Sequence, residues 1–206
     1  MVYLPTYALL TLVVVAACLV EYSGARLLVS RPSSAQNRAA LVSLSACAAA
    51  LALFHGNLVI TNLVVLSVGL FAGMFLSRAI GSAGALMALL VTAAIVDAVS
   101  SYAGPTRWII SQARNPHGVA LIQFLALSLR LKGRLVGVIG VADLMFFTVC
   151  VTAMRRLGWP GPASLVIPLL GILTALAVGL VAGLTPALPF LAAAVILYAR
   201  CAPVRR

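Results

Sequence analysis

Acidic residues are what this chain has least of. Among 206 residues only Glu21, Asp97 and Asp143 carry a carboxylate, against 14 basic side chains. Histidine is nearly as scarce, with two residues, and the four cysteines, Cys18, Cys47, Cys150 and Cys201, form no Cys-x-x-Cys pair. Donors so few and so scattered exclude a metal cluster of the usual spacing, and no cofactor is expected. The cysteines read as small apolar residues. Charge is sparse overall, at 8% of residues, while 64% are hydrophobic and the mean hydropathy is +1.18. That balance excludes a soluble domain, because too little polar surface remains to cover one. The net charge of +11 is not a nucleic-acid signature. Its arginines fall at the ends of apolar runs, where they meet water and anionic headgroups.

What the chain does have is a series of runs near the roughly 20 residues that cross about 30 Å of hydrocarbon. The reading is an all-α polytopic membrane protein, a single membrane domain over residues 1–206 with the lipid bilayer as its first partner. About seven transmembrane helices are expected, near 3–24, 39–54, 58–77, 81–103, 135–154, 161–183 and 186–198. Residues 1–80 form the N-terminal helices and 81–206 the half that carries both aspartates. The start, Met1-Val2-Tyr3-Leu4-Pro5, lacks a basic n-region, so the first run is expected to be a retained span. Pro32, Ser33 and Ser34 are expected to break the connection between the first two spans, and Pro168 to kink the sixth.

The stretch 105–134 differs in kind. It is basic, with Arg107, Arg114, Arg130, Lys132 and Arg134, and has room for a short strand or hairpin. Leu125, Leu127, Leu129 and Leu131 alternate with Ala126, Ser128, Arg130 and Lys132, which favours a strand with one apolar face. The row Leu121, Leu125, Leu129 fits a helix and competes with that reading.

An aspartate at the centre of a span costs roughly 2.5–3.5 kcal/mol on insertion scales, so Asp97 and Asp143 need a reason. Asp97 lies six residues before the end of its run and Asp143 eight after the start of the next. At about 1.5 Å per residue both would lie about 9–12 Å from the same membrane face. Ala93, Ala94, Ser100 and Ser101 around one, and Gly133, Gly137, Gly140 and Ala142 before the other, are small enough for close helix packing. Two adjacent carboxyls cannot both ionise cheaply and titrate as a pair. One can then activate a water while the other polarises a carbonyl. Glu21 is expected to snorkel or to pair with Arg26, and His55 to sit at an ordinary turn.

Asp97, then Gly140-Val141-Ala142-Asp143, then Pro186-Ala187-Leu188, each near a predicted span, resemble the presenilin and signal peptide peptidase family of intramembrane aspartyl proteases, as a short prokaryotic-like member. Gly104-Pro105-Thr106-Arg107, Gln112-Ala113-Arg114-Asn115 and Asp143-Leu144-Met145-Phe146-Phe147 are similar as well, so the likeness covers about residues 90–200. It departs from the family at Val96, where an aromatic residue is usual, at Ala142, where glycine is usual, and in having fewer spans. The resemblance implies an aspartic endopeptidase with Asp97 and Asp143 as the catalytic pair. Gly140, Ala142, Pro186, Ala187 and Leu188 would contact substrate. A strand near 124–132, with Leu127, Leu129 and Leu131, would pair with an unwound peptide. Its partners would be transmembrane proteins or signal-peptide remnants, with no nucleic acid.

Three readings compete. A proton- or cation-coupled transporter would also use intramembrane carboxyls, but should show a repeat with broken helices. A prepilin-peptidase-like enzyme should carry a lysine soon after its second aspartate, where this chain has Leu144, Met145 and Phe146. A degenerate homologue that binds without cutting is the third, argued from Ala142. With seven spans, one face collects Arg26, Arg31, Arg38, Arg78, Arg155, Arg156, Arg200, Arg205 and Arg206, and the other the five basic residues of 105–134. The positive-inside rule then puts the C-terminus in the cytoplasm, at a prokaryotic plasma membrane.

Overall fold

The structure is a computed structural model that describes residues 4–29, 33–53, 57–104, 108, 125–131, 134–182 and 185–201. His55, Lys132, Gly133, Gln112-Ala113-Arg114-Asn115 and Pro105-Thr106-Arg107 lie outside the described residues. So do Pro32, Phe124, Arg31, Arg205 and Arg206, and the side chains of Cys47, Arg130, Leu131 and Arg134.

Seven helices and one hairpin make up the described residues. They are α1 (Leu4–Val29), α2 (Ser33–Leu53), α3 (Leu58–Arg78), α4 (Ala83–Ala103), β1 (Ala126–Leu131), β2 (Arg134–Gly140), α5 (Val141–Arg156), α6 (Gly161–Ala182) and α7 (Leu188–Cys201). Four stretches, Ala8–Leu28, Leu58–Arg78, Ala83–Ala103 and Gly161–Gly179, are long and apolar enough to cross a membrane. Helix α7 is apolar but shorter, and α2 opens on Ser33, Ser34, Gln36, Asn37 and Arg38. The polar connection expected before the second span is therefore largely helical, with α1 running on to Val29 and α2 beginning at Ser33.

Helix starts follow local chemistry. Asn57 caps α3, its Oδ1 accepting from the amides of Val59 at 3.0 Å and Ile60 at 3.4 Å. Ser82 caps α4 by accepting from the Ala85 amide at 3.2 Å. Helix α5 stops where Gly158 takes the left-handed φ of 79°, with Arg155 and Arg156 in its last turn.

The fifth expected span is corrected. Residues 134–140 form a strand paired antiparallel with β1, from Leu131↔Arg134 to Ala126↔Gly140. Helix α5 therefore starts at Val141, and Asp143 stands in its first turn rather than eight residues deep in a helix. Gly137 and Gly140 belong to the hairpin, not to a helix–helix contact. The β-branched Val136, Val138 and Ile139 among glycines suit a strand, and β1 supplies the partner. A bulge falls where Leu127 pairs with Ile139 but Ser128 pairs with Gly137.

Helix α5 is the axis of the molecule. Leu144, Phe147, Thr148, Val149, Cys150, Val151, Ala153 and Met154 have no exposed surface. Helices α1, α3, α6 and α7 pack around it, with α4 set mainly against α7. The contact with α3 is a backbone approach. A β-carbon at Gly69 would stand 2.9 Å from Leu144 Cβ, and one at Gly73 would stand 2.5 Å from the Met145 carbonyl oxygen. Only hydrogen fits there, the small-xxx-small geometry of membrane helix pairs.

The ends of the helices differ in character. At one end Arg155 donates to Tyr22 Oη at 3.1 Å and Arg156 to the Ser77 carbonyl at 3.1 Å. Arg78 donates to Asn37 at 2.6 Å and Gln36 at 2.7 Å, and Trp159 packs on Tyr198. The hairpin and both aspartates lie toward the other end.

Gly73→Leu is expected to cost about 3 kcal/mol or more, because the overpacked atom is backbone. Gly81→Ala, where an added methyl meets nothing within 4 Å, is the control. Thermal unfolding in detergent should separate the two, and equal midpoints would refute the close approach.

Candidate active site

Asp97 sits in the last two turns of α4, facing the head of α7. Pro186 and Ala187 lead into that helix, and the Leu191 amide bonds back to the Ala187 carbonyl at 3.1 Å. The first amides of a helix have no partner within it. One of them, from Leu188, donates to Asp97 Oδ2 at 3.1 Å. The Ser101 hydroxyl and the Ala187 amide approach the same carboxylate. A helix N-terminus suits a carboxylate both by its amides and by its dipole. Pro186 and Leu188 are buried, and Ala187 is half-buried.

Asp143 is held at the corner where β2 becomes α5. Gly140 is the N-cap residue and donates its amide to Asp143 Oδ2 at 3.1 Å. This is the acidic half of a capping box, with glycine offering no side chain to return the bond. A β-carbon at Gly140 would come within 3.0 Å of that same oxygen. The Asp97 carboxylate is close enough to act electrostatically on Asp143, and both side chains are half-buried. Ala142 is exposed, so its methyl crowds no helix contact.

The strand leucines are placed differently from one another. Leu127 is buried in the helical core beside its cross-strand partner Ile139, Leu129 is half-buried, and the Leu131 side chain is outside the described set. The apolar face of β1 thus fastens the hairpin to the helices. The outward peptide groups at Ser128 are taken as well. Asn62 of α3 donates from Nδ2 to the Ser128 carbonyl at 2.8 Å and accepts at Oδ1 from the Ser128 amide at 2.9 Å. A carboxamide here does what a neighbouring strand would do, and at Ser128 β1 has no open edge.

Sequence reasoning passed over Asn62, although an amide near the head of an apolar span is a known source of interhelical hydrogen bonds. It also misplaced Glu21, which neither snorkels nor pairs with Arg26. Glu21 is 1% exposed and accepts from the Thr148 hydroxyl of α5 at 2.6 Å. Among the described residues no cluster of His, Cys, Asp and Glu could hold a metal ion. The arrangement assembles two carboxyls, one tied to a helix N-terminus and the other to a strand–helix corner, near a two-stranded sheet. Groups so placed can move protons and polarise a peptide bond. No family model, curated protein or solved structure matches this chain.

Asn62→Leu should leave the Ser128 amide and carbonyl buried without partners, at about 1–3 kcal/mol for each group. Hydrogen exchange in β1 should accelerate while exchange in α6 stays slow. Unchanged protection at Ser128 would show that the carboxamide does not hold the hairpin.

Proposed function

We propose that this protein is an intramembrane aspartyl endopeptidase of the presenilin and signal peptide peptidase type. The observation that supports this most is the bond from the Leu188 amide to Asp97, with Asp143 within electrostatic range of the same carboxylate. In this reading that bond ties the first aspartate to the Pro186-Ala187-Leu188 segment, and the two carboxyls supply the chemistry of a two-carboxyl hydrolase.

In this reading one aspartate takes a proton from a water whose oxygen attacks the scissile carbonyl. The other donates a proton to the carbonyl oxygen, giving a gem-diol intermediate. Collapse breaks the C–N bond, with the amine leaving protonated. Substrates are single-span proteins or signal-peptide remnants, unwound near the cut so that the peptide bond is accessible. The seven helices then serve as seven passages through a prokaryotic plasma membrane. The arginine-rich end and the C-terminus face the cytoplasm.

Asp97→Asn and Asp143→Asn should each lower cleavage of a reporter transmembrane segment in proteoliposomes by about a hundredfold or more, with the fold retained. Mass spectrometry of the products reads the result, and turnover near wild type in either variant sinks the proposal. Gly140→Ala should lower turnover less severely, about tenfold, by shifting the Asp143 carboxylate a few tenths of an ångström. A Gly140→Ala enzyme with full turnover would show that this spacing does not matter.

A further inference from the structure

Glu21 is the third and last acid of the chain, and it lies far from water. It is 1% exposed, on the α1 face that meets α5. Its partner Thr148 is wholly buried. A threonine within a helix ordinarily satisfies itself by bonding the carbonyl four residues back. Thr174 of α6 does so, donating to the Leu170 carbonyl at 2.8 Å. Thr148 instead gives its proton across the interface to Glu21 Oε2 at 2.6 Å.

This bond sits close to the candidate site. Thr148 is five residues beyond Asp143 on the same helix, about 7.5 Å along the axis. Cys18, one turn before Glu21, is within electrostatic range of both Glu21 and Asp143. Residues 18–21 of α1 therefore run alongside residues 143–148 of α5. On the α3 side, a β-carbon at Gly73 would stand 2.7 Å from Thr148 Cβ, and one at Gly69 would stand 3.4 Å from Glu21 Oε1. The first two turns of α5 are held between a hydrogen bond from α1 and a backbone contact from α3.

Stability alone does not account for a carboxyl here. Glu21 Oε1 and Thr152 Oγ1, the latter one turn beyond Thr148, are buried without a hydrogen-bond partner among the described residues. Apolar side chains at 21 and 148 would fill the same space with no polar atom to desolvate. The glycine contact sets how closely α5 lies on α3, and the bond adds a directional tie to α1 two turns from the start of α5.

We infer that Glu21 is a positioning residue: its hydrogen bond to Thr148 fixes the rotation and height of α5, and so aims Asp143 at Asp97. The inference rests on the reading of those two aspartates as the cleaving pair. Glu21 touches neither water nor substrate in this scheme and acts only through the helix.

The test measures kcat and KM for a reporter transmembrane segment in proteoliposomes, with thermal unfolding in parallel. Thr148→Val keeps the shape and removes the donor. It should lower kcat about tenfold or more with KM changed less than about twofold, as expected when a reacting group is misplaced by a fraction of an ångström. Thr148→Ser, which restores the hydroxyl, should recover most of that loss. Glu21→Leu should match Thr148→Val, the double variant should be no worse than either, and Glu21→Gln, which keeps an acceptor oxygen, should fall between. Should Glu21→Leu not fold, the Thr148 pair carries the test alone. Wild-type kcat in Thr148→Val overturns the inference, as does a loss that serine does not rescue or that tracks the fraction unfolded. Asp97→Asn and Asp143→Asn run beside these: if they are inactive while Thr148→Val is normal, only the positioning role falls, and if they cleave, the protease reading itself falls.

Discussion

A polar atom in hydrocarbon has no water to fall back on and must find its partner within the protein. Each of the three carboxyls of this chain meets that demand at one oxygen, although Glu21 Oε1 is buried without a partner among the described residues. Asp97 is bonded to the Leu188 amide, Asp143 to the Gly140 amide and Glu21 to the Thr148 hydroxyl. The outer edge of β1 at buried Ser128 meets it too, through the Asn62 carboxamide. Three of these four partnerships join separate elements: α4 to α7, α1 to α5, and α3 to β1. The fourth sits at the corner where β2 turns into α5. The bonds that make the polar groups tolerable are therefore also bonds that assemble the fold.

Helix α5 bears the consequence most plainly. It has 16 residues, about 24 Å of helix, short of the roughly 30 Å that a lipid-facing span must cover. It does not face lipid, since other helices enclose it, so its length is not bound by bilayer thickness. That freedom lets its first turn end inside the protein, at Gly140, where a strand takes over. A strand at that depth is tolerable only because β1 and β2 satisfy each other and Asn62 closes β1 at Ser128. The same shortness puts Asp143 near the N-terminus of its helix, beside a sheet instead of among helix side chains.

How much of this was legible depended on rarity and period. Two aspartates in apolar runs stand out because little else in the chain is charged, and the alternation of Leu125 to Leu131 marks β1 because its period is 2. Strand β2 was hidden because residues 135–154 form one continuous apolar run, and apolarity alone does not separate strand from helix. The mixture of Val136, Val138 and Ile139 with Gly137 and Gly140 was the available signal. Glu21 was misread because the nearest cation in sequence, Arg26, lies on its own helix, whereas its partner is 127 residues away. Gly69 and Gly73 carry the four-residue spacing of a helix contact and went unremarked, as did Asn62.

The basic side chains and the aspartates also lie toward opposite ends of the helices. Helices α1, α3 and α5 run in the same direction, because Tyr22 meets Arg155 and Ser77 meets Arg156 at one end, while Asn62 and Asp143 lie toward the other. Arginines at helix ends hold to the headgroup boundary. Arg155 lies twelve residues beyond Asp143, about 18 Å along α5. The basic end and the Asp143 carboxyl therefore stand well apart along the same helix. On the other side of Asp143 the chain is strand and not helix. Beyond Asp143 the hairpin continues the chain with backbone that is already paired.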